Sequence, residues 1–239
     1  EASAYIFVAK CICGLLVAVC VAGVTGNGLL LFTTIRSKSL RSPCNLLVGS
    51  CALFDMLHQF LPEIGVSGGT FSVLSIGIDR YLSIAAPNRY RNMNKNGYLM
   101  VHYSAIAIYC LSNIFLMVYF YQDQDHFCGI AHVYHGEALT LWSYSGVIVN
   151  VSSFLFYVGT WRLIRKQSKN LEMEQLHRIF RTIVMVTVLE LGGYTICQIL
   201  ISVQDLFDLP YGLHMCIMMI AGNSVNAGIA SKFLVYFFS

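Results

Sequence analysis

The amino-acid sequence predicts an all-α membrane protein whose fold is a seven-transmembrane helix bundle. Of the 239 residues, 56% are hydrophobic and only 11% are charged, and the mean hydropathy is +0.64. Soluble domains carry about 25% charged residues and short amphipathic elements, whereas this chain has long uncharged blocks. The basic residues fall into alternate segments between those blocks. An ordinary soluble domain is therefore excluded, and a net charge of only +3 without a basic tail argues against nucleic-acid binding.

The length of each block defines the spans, because a helix needs about 20 residues to cross the hydrocarbon core. The first, fourth, fifth and seventh blocks contain uncharged stretches of that length. The second contains Asp55, the sixth contains Glu190, and the third is the weakest because Asp79 and Arg80 lie near its end. We expect one receptor-sized domain over residues 1–239, with spans at about 6–35, 44–62, 64–86, 97–121, 138–161, 180–204 and 209–236.

The distribution of Lys and Arg predicts the orientation, since short basic loops stay in the cytoplasm. The second, fourth and sixth loops contain no Lys or Arg. The first, third and fifth loops are therefore expected inside the cell and the N-terminus outside. Thirteen of the 15 basic residues lie in or beside those three loops: Arg36, Lys38, Arg41, Arg80, Arg89, Arg91, Lys95, Arg162, Arg165, Lys166, Lys169, Arg178 and Arg181.

Polar residues inside the spans need partners, because an ionisable group in hydrocarbon costs a few kcal/mol. Asp55 has Asn27, Asn223, Ser224 and Asn226 as candidate partners in an intramembrane polar network. Such a network can hold helices together, and ion binding or switching stays open as an alternative. The histidine spacings do not resemble a zinc motif, so we expect no metal site.

The residues Asp79, Arg80 and Tyr81, followed by Pro87, resemble the third-helix signature of the rhodopsin-like receptors that couple to G proteins. Other spans agree with that resemblance, which covers the whole chain, through Asn27, Asn45, Asp55, Asn223, Ser224 and Asn226. Together with Arg89 and Tyr90, the third-span motif is most similar to that of the nematode serpentine chemoreceptors of the sx class.

The resemblance implies a chemosensory receptor in the plasma membrane, with the sensory cilium as a candidate location. It would bind an extracellular small molecule or peptide and signal to a heterotrimeric G protein through Asp79, Arg80 and Tyr81. No cofactor, metal or nucleic acid is implied. The basic amphipathic stretch at 161–166 suits the same partner or anionic lipid headgroups, and simple topological anchoring explains it equally well.

Three departures from the family pattern put signalling in doubt. The sixth span has no kinking proline, and Ala227 follows Asn226 where the family has proline. The outer-loop Cys128 has no partner in the third span, because residues 62–86 contain no cysteine. The family's usual disulfide is therefore not expected here.

Two alternatives belong to other classes of protein. Residues 65–69 match a Gly-x-Ser-x-Gly string, and the first four of them resemble the nucleophile motif of rhomboid intramembrane proteases, with Ser67 as nucleophile and His214 as base. Glycine and serine also suit a tight turn between two helices, which we expect here instead. A channel or transporter subunit is the other alternative, although no charged ring or repeated half supports it.

Only 25 positions separate Asp55 from Arg80, which predicts a shortened hairpin of the second and third spans. Two bare crossings fit between residues 44 and 87, but the long tilted third helix of the family does not. We expect its outer half to be missing, which would impair ligand binding and export. We therefore expect a shortened receptor isoform, an incorrectly spliced gene model or a decaying paralogue. The sequence of the transcript across the codons for residues 62–70 tests whether the gene model is incomplete.

Overall fold

The computed structural model describes residues 2–37, 42–58, 61–122, 134–167 and 210–237, together with 184–185, 188–189, 192–193, 196–197 and 200. Most of the predicted sixth span, with Glu190, and the outer-loop Cys128 lie outside the described residues. Within them every regular element is an α-helix, which confirms the all-α class. The helices are α1 (Ala2–Arg36), α2 (Pro43–Leu57), α3 (Pro62–Ala85), α4 (Pro87–Asn92), α5 (Lys95–Tyr119), α6 (Glu137–Gln167) and α7 (Tyr211–Phe237).

Three of these helices, α1, α5 and α6, are long and apolar enough to cross a bilayer. Their large apolar side chains point outward, with Leu15 60% exposed, Ile108 68% and Leu155 62%. Apolar surface on this scale marks a contact with lipid or protein rather than with water. Hydrocarbon is therefore the solvent that these three helices require.

The hairpin of α2 and α3 is short, and the shortening falls on α2. The Ser42 side chain caps α2 by accepting a hydrogen bond from the Asn45 N–H (3.3 Å), and the helix ends after Leu57. Pro62 begins α3, since proline lacks an N–H and suits the first helical turn. At 1.5 Å per residue, the 15 residues of α2 span about 22 Å and the 24 residues of α3 about 36 Å. Only α3 has the length of a bare crossing, and the second span expected at 44–62 stays a prediction.

The glycine-rich stretch at 65–69 lies inside α3, so the prediction of a turn at this position is wrong. These glycines serve close packing of the hairpin instead. A Cβ at Gly65 would meet the backbone of His58, and a Cβ at Gly68 would meet the ring of Phe54. Small residues are typical of membrane helices whose backbones approach each other closely.

Residues 30–177 form one compact unit in which α3 packs against α2, α5 and α6. The helix α5 begins after Asn94, whose side-chain oxygen accepts a hydrogen bond from the Asn96 N–H (3.1 Å). It runs antiparallel to α3, because Asn113 bonds to Ser67 while Tyr109, one turn earlier, contacts Phe71. The helix α6 runs parallel to α3, because Tyr157 bonds to the Val73 carbonyl while Gly159, further along α6, lies beside Tyr81, further along α3.

Residues 1–29 and 178–239 form the other compact unit. In it α1 and α7 run in the same direction, since Gly212 lies beside Tyr5 and Gly23 lies beside Ala230. Odd-numbered spans of an alternating bundle share one direction. The parallel pair of α1 and α7 therefore agrees with a chain of seven spans.

Candidate functional site

The carboxylate of Asp79 is completely buried near the C-terminal end of α3. It accepts a hydrogen bond from the Tyr90 hydroxyl (2.8 Å), which comes from α4. This contact forms because the chain breaks at Ala86 and Pro87 starts α4, which turns Tyr90 back onto α3. A hydrogen bond to an ionised group is stronger than a neutral one, so Tyr90 holds Asp79 in place.

Aromatic side chains surround this hydrogen bond. The Tyr90 ring lies 6.1 Å from the Tyr98 ring, and the Tyr98 ring lies 4.6 Å from His102, both in edge-to-face geometry. Burial, followed by the Asp79 charge, raises the pKa of Tyr90. The hydroxyl therefore stays protonated at neutral pH. The stability that the protonated hydroxyl contributes is fully present below the usual tyrosine pKa of about 10, and it is lost as the pH rises through the raised pKa of the folded protein.

Arg80 points toward α2 rather than toward solvent. Its Nε lies 2.7 Å from the buried Cys44 Sγ, whereas its distance to Asp79 Oδ2 is 4.0 Å, at the limit of an ion pair. The Arg80 side chain is only 15% exposed. Arg80 and Asp79 thus form an ion pair only at its longest range, and the shorter contacts go from Arg80 to Cys44 and from Asp79 to Tyr90.

Tyr81, the third residue of the motif, faces α6. Its ring meets Phe156 edge-to-face at 5.7 Å. Gly159 makes room for it, because a Cβ there would lie 3.1 Å from the Tyr81 ring. Asp79, Arg80 and Tyr81 therefore contact three different helices, α4, α2 and α6.

Sequence reasoning did not assign roles to Tyr90, Tyr98 and Cys44. The string after Pro87 contains Tyr90, but its distance of eleven positions from Asp79 crosses a helix break. Helical periodicity therefore could not connect the two residues. The signal that could have found Tyr90 was the proline itself, which predicts a new helix start and a change of chain direction.

The residues of the expected intramembrane network belong to both compact units, and each unit is described by itself. In the unit that contains α1 and α7, Asn226 donates to the Gly222 carbonyl (2.9 Å) and Asn223 to the Ile12 carbonyl (3.4 Å). The Asn27 amide is buried and has no hydrogen-bond partner among the described residues. Asp55 is 4% exposed and belongs to the other unit, beside Gly69. The link between Asp55 and the asparagines stays a prediction.

Ser67, the nucleophile of the alternative enzyme reading, is enclosed within α3. It is 2% exposed, and its hydroxyl donates to Glu63 Oε1 (2.6 Å) and accepts from Asn113 Nδ2 (2.8 Å). The His214 side chain lies outside the described residues. Among the described residues there is also no group of three or more His, Cys, Asp or Glu that could hold a metal ion.

Helices with outward-facing apolar surfaces, together with a parallel α1 and α7, are typical of a seven-helix membrane protein. Residues 20–66 and 60–239 match the model of the serpentine type 7TM GPCR chemoreceptor Srsx family. The chain belongs to this family of chemosensory receptors. No curated protein matches the chain.

The family match comes in two segments that overlap at residues 60–66. This interval includes the end of the α2–α3 connection and the first residues of α3. The continuity of the match is therefore interrupted at the hairpin whose shortness the sequence predicts.

Proposed function

We propose that this chain is a plasma-membrane receptor that binds an extracellular small molecule or peptide and signals to a heterotrimeric G protein. Its N-terminus lies outside the cell and its basic loops inside, and the sensory cilium is the membrane in which it acts. Family membership supports the receptor class. The observation that carries the signalling step is the buried Asp79, held by Tyr90 next to Arg80.

The described contacts correspond to a resting arrangement of the motif. Tyr90 connects α4 to Asp79, and Cys44 of α2 accepts a hydrogen bond from Arg80 Nε. If α3 moves relative to α2 and α4, these two contacts break, and the guanidinium becomes available to a partner. Interfaces of packed helices switch between discrete arrangements in this way.

The exposed cations around the motif suit an acidic partner surface. Arg89 and Arg91 are exposed on α4, and Arg165 lies over the Trp161 ring at 4.7 Å near the end of α6. Opposite charge on a partner raises the rate of association and fixes its register. The site is thus a coupling surface in which Arg80 is the buried member and the other cations form its rim.

The test is the replacement Arg80→Ala in cells that express the receptor with a G-protein reporter. The response to an odorant or peptide extract should be lost, because the cation that contacts the partner is gone, while surface expression is retained. The matched control is Arg91→Ala, which removes an exposed cation of the rim and should leave most of the response. A response that Arg80→Ala leaves unchanged would contradict the proposal.

A further inference from the structure

The outward-facing side of α6 changes from apolar to cationic along a single line of side chains. Ile148, Leu155 and Arg162 follow one another at intervals of seven residues, which is two helical turns, so they lie above one another on the helix surface. Ile148 is 65% exposed and Leu155 is 62% exposed, and Arg162 is exposed as well. The first cation of α6 therefore continues the same side of the helix that the apolar residues present to hydrocarbon.

The opposite side of this last part of α6 is packed. Thr160 and Ile164 are both fully buried. Ile164 follows Arg162 by two positions, which places it about 200° further round the helix. Arg162 thus starts from the side of α6 that is turned away from the packed core, and Arg165, one turn further on, is exposed beside it.

Trp161 fixes the depth of these cations. The Arg165 guanidinium carbon lies 4.7 Å from the centre of the Trp161 ring, and the ring itself is partly exposed. Tryptophan is enriched where hydrocarbon meets the lipid headgroups. Arginine lays its apolar stem on such surfaces and keeps its charged end at the polar boundary. The pair is therefore typical of a helix segment at headgroup level.

The neighbouring helices do not supply the counter-charge. No Asp or Glu occurs at residues 80–122 or 138–171, so α4, α5 and all of α6 beyond its first residue lack an acid. At this end of α3 the acid is Asp79, which is fully buried and bound to Tyr90. Arg162 and Arg165 thus need negative charge from outside these helices, on the side that faces the bilayer.

We propose that Trp161, Arg162 and Arg165 form a headgroup site for an anionic phospholipid. The two guanidinium groups donate charge-assisted hydrogen bonds to phosphate and carboxylate oxygens of the headgroup, and the acyl chains lie along Leu155 and Ile148. The site goes beyond the proposed function, because lipid binding needs no G protein, although Arg165 belongs to both surfaces.

Quenching of tryptophan fluorescence by brominated lipids measures which lipid lies beside a chosen indole. The sequence has two tryptophans, so Trp142→Phe leaves Trp161 as the reporter in the full chain. The chain is reconstituted in phosphatidylcholine vesicles, into which brominated phosphatidylserine or brominated phosphatidylcholine is titrated. At Trp161 the serine lipid should bind about fivefold more strongly or better, which is the factor expected from one cation near the membrane surface.

The variants locate the preference within α6. With Trp161→Phe the reporter is Trp142, about 28 Å away along the helix, and there the serine lipid should have no advantage. In the Trp161 reporter, replacing Arg162 and Arg165 together by glutamine should reduce the preference to about one. Arg165→Lys retains the charge and should retain most of the preference.

Arg91→Gln is the matched control, because it removes an exposed cation from α4 and should leave the fivefold preference in place. A second measurement applies if the double variant does not insert. In 1 M salt the Debye length falls to about 3 Å, so the wild-type preference should weaken. A preference that salt leaves unchanged would contradict a site built from these cations.

Equal binding of the two lipids at Trp161 would overturn the site, and it is the result that simple topological anchoring predicts. The same preference at Trp142, or an equal loss in Arg91→Gln, would also overturn it, because the attraction would then belong to the surface charge in general. If Arg165→Gln abolished a G-protein response without any change in lipid quenching, Arg165 would belong to the protein partner alone and the lipid site would be wrong.

Discussion

Tyr90 contributes a single hydroxyl to the site, and that hydroxyl is the hydrogen-bond donor that reaches Asp79 from α4. Replacing it by Tyr90→Phe keeps the ring in its contact with Tyr98 and removes only the donor. A buried carboxylate that loses a hydrogen bond is destabilised by about 1.5–3 kcal/mol. We expect higher ligand-independent G-protein activation and a lower unfolding midpoint, measured with a reporter in cells and with the purified chain.

Tyr119→Phe is the matched control for that substitution, because Tyr119 is 70% exposed on α5 and its hydroxyl lies away from Asp79. It should leave both measurements at their wild-type values. Equal basal activity in wild type and Tyr90→Phe would mean that the hydroxyl does not restrain the motif. A rise in both tyrosine variants would point to a general loosening of the helices instead.

The hairpin of α2 and α3 depends on a glycine at the point where the two helices come closest. Because a Cβ at Gly65 would fall on the His58 backbone, which cannot rotate away as a side chain can, Gly65→Ala should separate the helices. Overpacking of this kind costs about 1–3 kcal/mol. The expected result is a lower unfolding midpoint and less receptor at the cell surface.

Gly146→Ala in α6 tests the same chemical change where none of the described residues lies within 4 Å of the added methyl group. There alanine should be neutral or should stabilise the helix by about 0.5–1 kcal/mol, since it has the higher helix propensity. If both alanine variants behave alike, the close approach of α2 and α3 is not what sets stability in this region.

Orientation is a property of the whole molecule, and glycosylation-site insertion measures it. A site inserted in the fourth loop at Asp123 should be modified in cells, because we expect that loop outside. A site beside Lys166 should remain unmodified, because thirteen basic residues mark the loops on that side as cytoplasmic. The opposite pattern would show that the chain has the reverse topology. Modification at both positions would show that the chain inserts in both orientations.

Different forces explain why some features could be predicted from the sequence and others could not. The hydrocarbon core demands long uncharged blocks, so α1, α5 and α6 lie close to the spans expected at 6–35, 97–121 and 138–161. The end of α2 was missed because the apolar run continues beyond Leu57, while Pro62 determines where the next helix begins.

In the candidate site, too, some residues could be predicted from the sequence and others could not. Asp79, Arg80 and Tyr81 are adjacent in the chain and were found as a motif, although their roles remain proposals. Their partners Tyr90 and Cys44 come from other helices and meet them only through tertiary packing. No periodicity or spacing in the sequence carries that information.

The length of α2 has a consequence for the surrounding lipid. Cys44 lies beside Arg80 at one end of α3, and α2 rises only about 22 Å from there, against a hydrocarbon thickness of about 30 Å. The bilayer must thin locally or admit water at the hairpin tip, at a cost that grows with each ångström of mismatch. That cost is smaller in the endoplasmic reticulum, at about 27 Å, than in the sterol-rich plasma membrane. Arrival at the plasma membrane, where we propose that the receptor acts, therefore carries a larger mismatch cost for this hairpin than its insertion does.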